Sequence, residues 1–160
     1  MKKIAVVGLG NILMGDDGIG VRVVEQLERE KCLSRSVTLI QGETAGITIL
    51  PYIEDAEAVI FVDAVIFDGE YGEVKIFKDD EIQTDRGPPL SVHELGLKDV
   101  VSLIELYFHH KPDIALIGIK PKSIAEGLEI SPEVEKSIPI AARTIMNEIE
   151  IFADMTGIVR

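Results

Sequence analysis

Two stretches of the chain, Ala58-Val59-Ile60-Phe61-Val62 and Ile114-Ala115-Leu116-Ile117-Gly118-Ile119, contain no polar side chain. A strand with one wet face alternates apolar and polar residues. Runs without alternation belong to strands buried on both faces, as in parallel sheets covered by helices on either side. Ile4-Ala5-Val6-Val7 and Val37-Thr38-Leu39-Ile40 read as two further strands. Between these runs the apolar period lengthens. Ile19, Val23, Val24 and Leu27 mark one face of a helix over residues 18–30, with Glu25 and Arg29 paired on its wet side. A short helix is expected over 46–55, limited by Pro51. Leu97, Val100, Val101, Ile104 and Phe108 mark a long helix that starts near the Ser91–Glu94 capping box or, because of Gly96, a few residues later. A helix starting at Ser131-Pro132 runs through Val134, Ile138, Ala141, Ile145 and Ile149, and Pro139 should kink or split it. Strands separated by helices imply right-handed βαβ crossovers. The predicted fold is therefore α/β: one doubly wound domain spanning residues 1–160, with Gly72 to Lys78 as an antiparallel edge strand.

The first strand runs into Gly8-Leu9-Gly10-Asn11-Ile12-Leu13-Met14-Gly15-Asp16-Asp17-Gly18-Ile19-Gly20. A glycine-rich turn between strand and helix suggests a phosphate cradle, but the residues argue against one. A dinucleotide fingerprint would need its third glycine at position 13, which is Leu13. Gly10 and Gly15 have P-loop spacing, yet Asp16 and Asp17 stand where Lys and Ser/Thr are required. Two carboxylates repel phosphate and instead offer hard oxygen donors to a cation.

Composition narrows the partners. With 16 basic and 28 acidic side chains the net charge is −12, which disfavours nucleic acid and anionic membrane as partners. The single cysteine, Cys32, excludes an internal disulfide and fits a reducing cytoplasm. The apolar run after Lys2-Lys3 breaks at Gly8, too soon for a secretory signal, and no run nears the ~18 residues of a membrane span.

In an open α/β sheet ligands bind beyond the carboxyl ends of the strands. Asp17 follows strand 1, residues 42–46 follow strand 2 and Asp63 ends strand 3, so all three should face one crevice. His93 ends an irregular stretch, 79–92, and begins a helix. If that helix start points into the crevice, its positive end favours the neutral, metal-binding ring. Two carboxylates and an imidazole suit a divalent ion such as nickel, zinc or iron. Simpler roles stand beside these. His93 could be a cap or surface residue, and Asp63 could satisfy backbone donors. One of Asp16 and Asp17 is expected to cap the first helix while the other points outward. Gly8 and Gly10 could serve close helix–sheet packing. The sequence has neither a Gly-x-Ser-x-Gly elbow nor a His-Glu-x-x-His motif.

The run from Gly8 to Gly20 resembles the N-terminal signature of the nickel-iron hydrogenase maturation endopeptidases. Gly42-Glu43-Thr44-Ala45-Gly46, Val62-Asp63-Ala64, His93-Glu94-Leu95-Gly96-Leu97 and Gly118-Ile119-Lys120-Pro121 follow in the family's order. The resemblance implies a three-layer α/β/α sandwich on a five-stranded sheet. It implies removal of a short C-terminal peptide from the hydrogenase large-subunit precursor after nickel insertion. By motif position the family's catalytic and nickel-contacting residues fall on Asp17, Asp63 and His93. The substrate-binding turn falls on Gly42, Glu43, Thr44, Ala45 and Gly46. Some members carry Glu where this chain has Asp17, and many have glycine where it has Glu43. The nickel would come with the substrate's cluster, serving either to activate the scissile bond or only for recognition. The alternative is a non-catalytic metal- or nucleotide-binding α/β module, its nucleotide form opposed by Asp16 and Asp17.

Overall fold

The computed structural model describes residues 1–44, 46–83 and 97–155. Its elements are β1 (Ile4–Leu9), α1 (Ile19–Glu30), β2 (Val37–Glu43), α2 (Leu50–Ile53), β3 (Ala58–Ala64), β4 (Val74–Lys78), α3 (Asp79–Gln83), α4 (Leu97–Tyr107), β5 (Asp113–Ile119), α5 (Pro132–Glu135) and α6 (Ile138–Asp154). Two 3-10 turns, Gly15–Gly18 and Gly46–Ile49, precede α1 and α2. The strands form one sheet in the order β2-β1-β3-β5-β4. Every neighbouring pair is parallel except β4 and β5. The antiparallel edge is thus where the alternation of residues 72–78 puts it.

Strand parity sorts the core into two layers. Val59 and Phe61 of β3 face the side covered by α2, α3 and α4, with Ile53, Ile82 and Ile104. Ile60, Val62 and Ala64 face α1 and α6, with Val24, Leu27 and Ile145. All seven residues of β3 are buried, as are six of the seven in β5, which is why neither run alternates.

Proline placement explains how two of the expected helices divide. The span 46–55 divides into a 3-10 turn and α2, because Pro51 lacks the N–H that would reach the Ile47 carbonyl. The last helix splits as expected: α5 stops at Glu135 and α6 begins at Ile138, leaving Pro139 in a first turn, where its missing donor costs nothing. On α1, Arg22 pairs with Glu25 at 3.3 Å and Arg29 binds Gln26, so the expected Glu25–Arg29 pair is replaced by i,i+3 contacts. The capping box at Ser91–Glu94 lies outside the described residues. Among the described residues no helix is long and apolar enough to cross a membrane.

Candidate active site

β1 lies between β2 and β3, so the turns after all three strands open at the same sheet edge. The β1–α1 turn approaches that edge closely. A Cβ on Gly20 would overlap the carbonyl oxygens of Leu9 and Val62, so the start of α1 rests directly on the ends of β1 and β3. Asp17 lies one turn before that contact and Asp63 is the residue after Val62. The two carboxylates therefore flank one helix–sheet contact, although 45 residues separate Asp17 from Val62 in sequence. Both are buried, at 3 % and 1 % exposure. Asp17 Oδ2 accepts the backbone N–H of Asn11 at 2.9 Å. Asp63 Oδ1 accepts the N–H of Ala64 at 2.8 Å, so it does satisfy a backbone donor. Asp63 shares the parity of Phe61 and lies opposite Gly118 of β5 on the α4 side of the sheet.

The expectation that one of Asp16 and Asp17 caps α1 and the other points outward is wrong. Gly18 occupies the N-cap without a side-chain bond, and both carboxylates turn inward. Asp16, 1 % exposed, faces the segment after β5. Its Oδ2 accepts the N–H groups of Lys122 and Ser123, each at 2.9 Å, and the Ser131 hydroxyl at 2.6 Å. Its Oδ1 accepts the Ser131 N–H at 2.7 Å. Burial pushes the Asp16 carboxyl up, but these bonds together outweigh it and hold the group below its ordinary value.

Backbone bonds join the same two segments. Gly127 donates to the Leu13 carbonyl at 2.8 Å, Gly15 donates to the Gly127 carbonyl at 2.9 Å, and Asp16 N donates to the Ser123 carbonyl at 3.0 Å. Gly15 has φ +59°, and a Cβ there would lie 2.9 Å from the Ser123 oxygen. Only glycine meets both demands without strain. Residues 122–130 carry no helix or strand pattern in the sequence. No local pattern could have paired Ser131 with Asp16, since 115 residues separate them.

The turn after β2 joins the site through its backbone. Gly10, at φ +123°, donates to the Glu43 carbonyl at 2.8 Å. Glu43 itself sits at φ +48°, the left-handed region that glycine occupies more easily. Glu43 and Thr44 are exposed, Gly42 is buried beneath them, Gly46 has φ +55°, and Ala45 lies outside the described residues. His93 also lies outside them. Among the described residues no three His, Cys, Asp or Glu side chains converge on a metal position.

The hydrogenase maturation protease family profile matches residues 21–148. This chain belongs to the hydrogenase maturation protease family. It is 32 % identical over 145 residues to the hydrogenase 2 maturation protease of Escherichia coli strain K12, covering 90 % of this chain and 88 % of that protein. It is 33 % identical over 150 residues to the hydrogenase expression/formation protein HupD of Rhodobacter capsulatus, covering 92 % and 71 %. In structure it matches the hydrogenase maturating endopeptidase HybD from E. coli with a TM-score of 0.83 at 32 % identity, over 94 % of this chain and 93 % of that one. As a member of the hydrogenase maturation proteases, the chain is an endopeptidase on an α/β fold, and the resemblance carried by its motifs holds.

Proposed function

We propose that this protein removes a short C-terminal peptide from the hydrogenase large-subunit precursor after nickel insertion, sensing the nickel with Asp17, Asp63 and His93. The observation that supports the reading most is the pair of buried carboxylates flanking the α1–β3 contact at the carboxyl ends of the strands. Carboxylate oxygens and an imidazole nitrogen form a mixed donor set suited to nickel. The metal is cargo of the substrate, so the three side chains complete its coordination only when the precursor docks. A metal held by these residues would polarise the scissile carbonyl, lower the pKa of an attacking water, or serve for recognition alone. The turn Gly42–Gly46 borders the same edge and receives the substrate chain. The net charge of −12 disfavours nucleic acid and anionic membrane as partners, and the single cysteine, Cys32, fits work on a protein substrate in the cytoplasm.

Incubation with nickel-loaded and nickel-free precursor, read by mass spectrometry, tests the reading. Cleavage is expected only of the loaded form, and Asp17→Ala, Asp63→Ala and His93→Ala should each abolish it. Equal cleavage of nickel-free precursor would remove the metal from recognition. Full activity in all three variants would end the site assignment. Binding of loaded precursor without cleavage would favour the non-catalytic module.

A further inference from the structure

We propose that Asp16 is a positioning residue for the peptidase reaction: its carboxylate clamps the 122–131 loop onto the β1–α1 turn and so sets the direction of the Asp17 carboxylate. The inference rests on the assignment of Asp17 to the site.

The clamp is unusual in what it gathers. Its donors come from both ends of the loop, Lys122 and Ser123 at one and Ser131 at the other. The middle of the loop, Gly127, is bonded in both directions to Leu13 and Gly15. Turn and loop are therefore held at three places, with a buried charge at the centre. Asp16 and Asp17 are consecutive in a 3-10 turn, Gly15–Gly18. With three residues per turn, neighbouring side chains point about 120° apart around its axis. Rotation of the turn would move both carboxylates together. Asp16 is fixed by four hydrogen bonds, so the turn cannot rotate, and Asp17 stays against the Asn11 N–H on another side. Only a carboxylate satisfies this set. An amide at Asp16 would direct its own NH2 at one of the donors, and a glutamate would be one methylene too long for a closed site.

Asp16→Asn separates positioning from binding, because a displaced reacting group lowers turnover more than it weakens docking. With nickel-loaded precursor, kcat should fall by about tenfold or more while KM stays within about twofold. The amide resonance of Asn11, bonded to the Asp17 carboxylate, should shift in a nitrogen–proton correlation spectrum, while those of Val6 and Ile60 in the sheet hold. Ser131→Ala removes one clamp bond and should produce the same two changes to a smaller degree. It carries the test if Asp16→Asn does not fold. Wild-type kcat in the folded variants, a rise in KM alone, or a fall in kcat with the Asn11 resonance unmoved would each overturn the proposal. Asp17→Ala run in parallel tells the two readings apart. Activity there removes the site assignment and the clamp's purpose with it, whereas an inactive Asp17→Ala beside a fully active Asp16→Asn removes the clamp alone.

Discussion

Asp16 is buried and Asp79 half-buried, and their protons respond in opposite directions. Burial raises both, and at Asp16 four hydrogen bonds overcome it. At Asp79 burial prevails over a single N–H from Ile114 at 3.3 Å and the attraction of Lys111, and Asp113 and Asp80 push the same way as burial. Among the described residues Asp79 Oδ1 has no hydrogen-bond partner. An acid raised in the folded state binds its proton more tightly there than in the unfolded chain. Its contribution is therefore most favourable below the ordinary value of 3.8 and is lost as pH rises through the folded value. Asp79→Asn, which keeps an acceptor for Ile114, should raise the urea midpoint at pH 7, with the gain closing as pH falls toward 3.8. A variant less stable than wild type at pH 7 would contradict this.

At the scale of elements, α1 is defined by how closely it approaches the sheet and by how it ends. Gly20 rests on the Leu9 and Val62 carbonyls, and Gly8 rests in turn on the Gly20 carbonyl. Backbone atoms cannot give way as a flexible side chain can. Gly20→Ala should cost at least the ~1–3 kcal/mol typical of overpacking, measured by urea denaturation. It should also lower processing, since the 3-10 turn leading into the lifted helix carries Asp17. The other end of α1 is suboptimal. Lys31 terminates the helix in a left-handed conformation, φ 50°, and its side chain is exposed. Glycine is the residue suited to that position. Lys31→Gly should stabilise the protein by about 1 kcal/mol with no change in activity.

Across the whole molecule, the end of the sheet opposite the site is closed by a charged cluster around Phe152 of α6, itself 4 % exposed. Lys78 lies 5.0 Å from the ring centre and Lys2 5.7 Å. Lys78 also pairs with buried Glu148, and Lys2 with Asp113 at 2.8 Å. The cluster joins the chain's start, the edge strand β4, the start of β5 and the final helix. Phe152→Ala should lower stability by about 3–5 kcal/mol in urea titrations. The kcat of the folded protein should be unchanged, because strands β1 and β3 separate the cluster from the reacting end. A fall in kcat without a fall in stability would show that the two ends are coupled.

The layers and the sheet edge proposed for the site could be read from the chain, because the signals behind them are local. Unbroken apolar runs can only be buried on both faces, so β3 and β5 were legible, as was the crossover pattern that places Asp17, Asp63 and residues 42–46 at one edge. Motif spacing was enough to indicate the family. Tertiary structure decided which donors each acid binds. Capping preference does not tell Asp16 from Asp17, since either could cap α1. They differ only because Ser131 and Lys122 return from more than 100 residues away to bind one of them and leave the other beside Asn11. Hydrogen-bond donors brought together by chain return have no sequence period, so the difference in partners between neighbouring carboxylates exists only once the sheet has formed.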